Sequence, residues 1–205
     1  MNVFQIKTKP HGNERIREFI DEKFICIGWP GLQNLDQVSK DEIRNRLGKA
    51  YNVSGHKLGN CLGQVNAFVN TMKKSDIVLI TEKNWTYIGI IGEYEYHQQY
   101  DNDQDGMCHR RTVEWINHIL TSNLESSIQK LVSNRNTICE YPDNFEASGL
   151  EKYLKKQSTI DKRDILRLDN LFNDALVILE EELKSSDPDR RLKAATELVR
   201  LKNNS

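Results

Sequence analysis

The stretch from Met72 to Trp115 limits most sharply what this chain can fold into. Two β-branched runs, Ile77-Val78-Leu79-Ile80 and Tyr87-Ile88-Gly89-Ile90-Ile91, flank a turn at Lys83-Asn84, the pattern of a β-hairpin. A third run, Glu93-Tyr94-Glu95-Tyr96, follows Gly92, and a polar loop leads to Arg110-Arg111-Thr112-Val113-Glu114-Trp115. Short strands in close succession, rich in aromatics and arginines, predict a small antiparallel barrel. Such side chains suit stacking on a flat polar ring while gripping phosphate.

The flanking sequence adds helices and further strands. Val3-Phe4-Gln5-Ile6-Lys7 alternates and predicts a first strand. After the turn Pro10-His11-Gly12-Asn13, Asn13 is placed to cap a helix presenting Ile16, Phe19 and Ile20. Phe24 to Trp29 reads as a buried strand ending at Pro30-Gly31. Ser39 and Glu42 form a capping box before a helix with Ile43 and Leu47 inside. Ser54 to Gly63, polar and glycine-rich, reads as a loop. Val65, Phe68, Val69 and Met72 have helical spacing. A helix to Val132 and a closing strand from Asn136 to Tyr141 complete the domain, which Pro142-Asp143-Asn144 ends.

From Glu146 the texture changes. Aromatics thin out, and twelve acidic residues face twelve basic ones. Residues 159–184 fit one long helix, with Leu168, Phe172, Ala175, Leu176, Leu179 and Leu183 on one side. Ser186-Asp187-Pro188 stops it and starts a second, with Asp187 as cap and Pro188 at the first helical position. Leu192, Ala195, Leu198 and Val199 form the apolar face of that helix. A hairpin with so little core is expected to pack on a copy of itself or on a partner. The predicted organisation is α+β: a small β-barrel decorated with helices over 1–145, a linker over 146–158, and an α-helical hairpin over 159–205.

Composition narrows the function. The 205 residues carry 29 basic and 30 acidic side chains, a formal net charge of -1. That balance argues against a nonspecific DNA coat and leaves room for a reader with a local basic patch. No apolar run is long enough to span a bilayer, and the N-terminus has no signal-peptide core. Cys26, Cys61, Cys108 and Cys139 are far apart, which reads as reduced thiols rather than paired zinc ligands. A cytoplasmic protein with no metal, cofactor or membrane is expected. Asp101, Asp103 and Asp105 alternate as in a calcium loop, but position 112 is Thr112 where the loop needs Glu.

The candidate ligand-binding residues are Trp29, Tyr87, Tyr94, Tyr96, Arg110, Arg111 and Trp115. Trp29, at a strand end, is as well suited to a pocket wall as to a core plug. Trp85, beside the hairpin turn, is open to stacking or plain exposure. Tyr94 and Tyr96 share one strand face, as a stacking platform or as a packed face with hydroxyls reaching solvent; Glu93 and Glu95 take the other. Arg110 and Arg111 point to opposite sides, one for a carboxylate such as Glu93 and one for phosphate. Trp115 suits core as well as cage. Asp76 suits a turn cap. His97 and His109 lack a partner at motif spacing, so no acid–base role follows.

The order Cys26-Ile27-Gly28-Trp29, Phe68-Val69-Asn70-Thr71-Met72-Lys73-Lys74-Ser75-Asp76-Ile77-Val78, Tyr87-Ile88-Gly89-Ile90-Ile91-Gly92-Glu93-Tyr94-Glu95-Tyr96 and Arg110-Arg111-Thr112-Val113-Glu114-Trp115 resembles the N-terminal domain of Mrr-type restriction proteins, a PUA/EVE-like barrel. The resemblance covers about the first 140 residues; Ser75 stands where that family most often has Gly. It implies a reader of nucleic acid, namely DNA carrying a modified or flipped base, in restriction, phage defence or counter-defence. The nuclease domain that follows in restriction proteins has no counterpart here. Glu180-Glu181-Glu182-Leu183-Lys184 lies in an amphipathic helix and Asp21-Glu22-Lys23 at a helix end, poor places for a metal-dependent nuclease. The C-terminal hairpin resembles helices of phage DNA-packaging and phage-associated proteins, which commonly oligomerise. The expected activity is therefore non-catalytic binding by a homo-oligomer. The alternative is a phage-associated interaction protein that binds a nucleotide or a host defence protein, with a nuclease as the third reading.

Overall fold

The computed structural model describes residues 1–154 and 175–204, with side chains through 200. The chain divides into two compact units, residues 1–156 and 157–205.

The first unit is α+β. Strands β1 (Val3–Ile6), β2 (Phe24–Ile27), β3 (Ile77–Glu82), β4 (Trp85–Tyr96), β5 (His109–Leu120) and β6 (Ile138–Glu140) form one mixed sheet in the order β2-β5-β4-β3-β1-β6. Neighbours are antiparallel except β1 and β3, which run parallel. Parallel neighbours need a long crossover. Here it carries α1 (Ile16–Asp21), β2, α2 (Lys40–Tyr51) and α3 (Gly55–Asn66), the last continued by a π-helical turn, Ala67–Thr71.

The sheet is open. Its edges, β2 and β6, do not pair with each other, so the expected barrel is not closed and the expected closing strand is an edge strand bonded to β1. The run Glu93 to Tyr96 is the end of the twelve-residue β4, not a separate strand. The β4–β5 register shifts between Ile88 and Gly89 and again between Ile91 and Tyr94, as at β-bulges.

Period-two alternation distributes the core to both faces of the sheet. Val78 and Ile80 of β3, with Phe4 and Ile6 of β1, join one cluster with Phe19, Leu47 and Phe68. Ile77, Leu79 and Val3 point the other way and join Ile88 of β4, with Ile128, Leu131 and Leu150 from beyond β5. Strands buried on both faces read as continuous apolar runs, which is why β3 is so conspicuous in the sequence. Its polar neighbour on β1, the buried Gln5, donates to the Asn136 carbonyl at 2.7 Å.

Three local expectations change. Residues 55–63 are helix, not loop: Leu58, Cys61, Leu62 and Val65 repeat at helical spacing and pack inward, which outweighs the cost of Gly55, Gly59 and Gly63. Asn13 does not cap α1; Arg15 stands at the N-cap, with no side-chain cap bond. The first unit also runs past residue 145. A 3-10 turn, Glu146–Ser148, and helix α5 (Glu151–Leu154) bring Leu150, Tyr153 and Leu154 onto the second core cluster. Ser39 caps α2 as read, accepting from the Glu42 amide at 3.3 Å, while the Glu42 side chain turns to Arg46. Helix α4 (Ser126–Val132) lies where a helix was expected.

In the second unit, residues 175–182 are helical and a helix spans Pro188–Asn204. Asp187 caps the latter, accepting from the Asp189 amide at 2.9 Å. The part of the long helix expected over 159–174, with Leu168 and Phe172, lies outside the described residues. No helix among the described residues is long and apolar enough to cross a membrane.

Candidate functional site

Loops close over the end of edge strand β2 and form a seam. The chain leaving β1 forms a one-turn 3-10 helix, Pro10–Gly12, against the end of β2. Gly28 makes this contact possible: a Cβ there would stand 2.8 Å from the His11 backbone nitrogen. A cavity of about 230 Å³ opens at the seam, lined by Lys9, His11, Gly28, Trp29, Tyr51 and Gln64, among others. That is smaller than sites for drug-sized ligands, which run from about 300 Å³ upward. It suits one flat ring.

Two aromatics form a corner of this cavity. The rings of Trp29 and Tyr51 lie 5.0 Å apart at 76°, edge to face. The corner is held in a strained form. Trp29 has φ 80 and His11 φ 51, a region that costs about 1–3 kcal/mol per non-glycine residue and persists where the surroundings over-determine it. Those surroundings are visible. The Tyr51 hydroxyl donates to the Pro30 carbonyl at 2.6 Å. The Gly31 amide donates to Asp101 Oδ1 at 2.6 Å. The segment after Trp29 is thus pinned from both sides, a preorganised wall.

A polar network lies beneath. Asp101 Oδ2 accepts from the Tyr96 hydroxyl at 2.5 Å. Burial opposes the charge of Asp101, but its bonds from Tyr96 and Gly31 outweigh that and hold its pKa below the usual carboxylate range. Burial, then the nearby Asp101, pushes the Cys108 thiol up to about 12, so it stays protonated. The Tyr94 hydroxyl accepts from the Leu35 amide at 3.2 Å and lies 2.7 Å from His109 Nδ1. One proton is shared between that oxygen and Nδ1, its direction set by the imidazole tautomer. Burial opposes the charged ring and outweighs a backbone interaction with Trp29 and the nearby Asp101, which favour it. Burial lowers the His109 pKa to about 4, so the ring is neutral at pH 7.

The residues singled out in the sequence separate into three groups. Trp29 is a cavity wall. Tyr94 and Tyr96 do share a face opposite the exposed Glu93 and Glu95, but their hydroxyls are tied to His109 and Asp101, and their rings lie against His109 at 6.1 and 5.8 Å. They support the wall from behind instead of forming an open platform. Tyr87 and Trp115 lie elsewhere on the sheet: Tyr87 stacks on His118 at 5.7 Å, and Trp115 Nε1 donates to the Phe19 carbonyl at 2.8 Å.

The arginines are interior groups. Arg111, 3% exposed, donates to the carbonyls of Phe68, Val69, Met72 and Gly92 at 2.8 to 3.1 Å. It satisfies carbonyls at the end of the α3–π helix, where a cation also complements the helix dipole. Arg110 is sandwiched between the Phe24 and Tyr100 rings at 4.0 and 4.1 Å and donates to the Met107 carbonyl. Its ion pair is with Glu22 at 3.7 Å, not Glu93. Neither guanidinium is placed to meet phosphate. Asp76 is the turn cap expected, accepting from the Lys73 and Asn2 amides.

Tyr51 escapes the sequence reading, and His109 is weighed there without its partner. Tyr51 continues the stripe Ile43–Leu47 at helical spacing, a signal that was present. His109 finds its partner Tyr94 across the β4–β5 pairing, fifteen residues away, where no local spacing shows it.

The family description that matches residues 4–141 is a domain of unknown function, DUF8426. The chain belongs to this family. No curated protein matches it. The DUF8426 span begins inside β1 and ends at Tyr141, so all of the seam residues and five complete strands fall within it. Among the described residues, no group of three or more His, Cys, Asp and Glu side chains comes together that could hold a metal ion.

Proposed function

We propose that this DUF8426 protein is a non-catalytic nucleic-acid reader that takes a modified or flipped DNA base into the Trp29–Tyr51 corner. The reading that goes with it is a PUA/EVE-like pseudo-barrel akin to the N-terminal domain of Mrr-type restriction proteins, acting in restriction, phage defence or counter-defence. The observation that carries the proposal is the corner itself: two rings set at 76° over a cavity of about 230 Å³, on backbone held in a strained form. A flipped base is read by stacking and by hydrogen bonds to its edge in a snug pocket, and His11, Gln64 and Lys9 line this one with donors and acceptors. The C-terminal unit leaves Val177, Ile178, Leu192 and Val199 between 53% and 68% exposed. In this reading those residues join copies of the chain and add avidity.

The test is a titration of purified protein against matched duplexes, unmodified or carrying methylated or hydroxymethylated cytosines, at one salt concentration. Trp29→Ala should remove the preference for the modified duplex and weaken binding by about 1–3 kcal/mol. An unchanged preference in that variant rules the corner out. The interaction-protein reading draws its support from the exposed apolar residues of the C-terminal unit; a copurifying protein partner, with no affinity for either duplex, would favour it.

A further inference from the structure

The β3–β4 hairpin lies at the opposite end of β4 and β5 from Tyr96 and His109. On one face of the sheet there, Glu82 of β3 pairs with Trp85 of β4, and Tyr87 of β4 pairs with His118 of β5. Residues two apart on a strand share a face, so one carboxylate and three rings stand on the same side. Tyr87 stacks on His118 at 5.7 Å and 27°, and Trp85 lies 5.3 Å from His118 at 54°. The Tyr87 hydroxyl donates to Glu82 Oε2 at 3.4 Å, which ties the carboxylate to the edge of the rings. Trp85 is 41% exposed; among the described residues of the first unit, Met1 alone is a more exposed large apolar side chain. The neighbouring Lys83 lines a cavity with Gln129 and Lys130 of α4, on the other face.

Aromatic faces attract cations through their quadrupole, and a carboxylate on the same side adds to that attraction. The first unit completes this arrangement elsewhere: Arg110 lies between the Phe24 and Tyr100 rings at 4.0 and 4.1 Å and pairs with Glu22 at 3.7 Å. At the hairpin the rings and the carboxylate are in place. Among the described residues, no Lys or Arg stands over Trp85 or Tyr87 or forms an ion pair with Glu82.

We propose that this ring shelf is a docking surface for a partner protein, which lays an arginine over Trp85 and sets its guanidinium against Glu82. Three rings in line make a shelf and not an enclosing cage, which favours a flat guanidinium over a rounded ammonium. A carboxylate receives that planar fork by charge-assisted hydrogen bonds. A nucleic-acid strand fits the shelf less well, because phosphates flanking a stacked base would face the charge of Glu82. The His118 amide donates to Asn117 Oδ1 at 2.9 Å, so β5 does not offer that donor to an added strand, and recognition falls to side chains. The inference stands apart from the base-reading proposal and uses none of the seam residues.

The experiment is an NMR titration of the full isotope-labelled chain, following the backbone amides of Tyr87 and His118. The probes are a capped pentapeptide with a central arginine flanked by leucines, and the same peptide with citrulline, which keeps the shape and loses the charge. The arginine peptide should bind about tenfold more tightly than the citrulline peptide. Trp85→Ala should weaken arginine-peptide binding about fivefold. Glu82→Gln, which keeps an acceptor for Tyr87, should weaken it about threefold. Both variants should retain the wild-type ratio between modified and unmodified duplexes. Equal affinity for the two peptides, no binding of either, or unchanged affinity in Trp85→Ala overturns the proposal. Oligo(dT) that shifts these signals where the arginine peptide does not would assign the rings to unpaired bases, and overturns it as well.

Discussion

His109 is fully buried, with Nδ1 bonded to Tyr94. Its folded pKa of about 4 lies below the ordinary value of 6.5. Between those values the unfolded chain binds a proton that the folded chain refuses, so stability falls as pH drops from about 6.5 to about 4 and is fully present above 6.5. The gap corresponds to roughly 3 kcal/mol. His109→Gln keeps a hydrogen-bonding group for Tyr94 and removes the titration. Urea denaturation at pH 7 and pH 4.5 should show the smaller pH loss in that variant; equal losses would place the acid sensitivity elsewhere. Arg111 makes a second prediction at this scale. Truncating it to Ala strands helix-end carbonyls in the interior, and unfolding should become easier by about 3 kcal/mol. If Arg111 instead gripped phosphate from an open surface, stability would hardly change and only nucleic-acid affinity would fall. Its type and strand parity were legible in the sequence. Its destination was not, because the four carbonyls it meets come from residues 19 to 43 positions away, three of them at the end of the crossover helix.

At the scale of elements, the seam depends on the end of β2 approaching the Pro10–Gly12 turn through Gly28. A Cβ at that position would press on the His11 backbone, and backbone yields less readily than a side-chain tip. Gly28→Ala should cost about 1–3 kcal/mol and weaken base binding along with it, since Trp29 follows directly. Thermal unfolding and the duplex titration, run on the same preparation, test this jointly; a stable variant with intact binding would show that the seam is looser than described. The hairpin of β3 and β4 was readable from two β-branched runs flanking the Lys83-Asn84 turn. Helix α3 was not: its glycines at 55, 59 and 63 imitate a loop, while the inward stripe Leu58–Cys61–Leu62–Val65 gains its meaning only from the core it meets. The open sheet was also hidden, because local alternation does not say which edges pair.

For the molecule as a whole, a net charge of -1 leaves no general attraction to DNA, so affinity must come from local sites. The first unit has a core on each face of its sheet and is expected to fold without residues 157–205. Removing them should leave a cooperatively folding domain that still binds modified duplex, now as a monomer by light scattering and with avidity lost. A truncated protein that remains oligomeric would move the self-association surface into the first unit. The change of texture near residue 146 marked this division in the sequence, but the boundary sits later, because Leu150, Tyr153 and Leu154 still pack on the second core cluster.

The measurement that bears most directly on the proposed reader is the fixed-salt titration of wild type and Trp29→Ala against matched modified and unmodified duplexes. Tighter binding of wild type to the modified duplex, with the difference abolished in Trp29→Ala, is the expected result. Equal affinity of wild type for both duplexes, or a preference that survives the loss of Trp29, would contradict it.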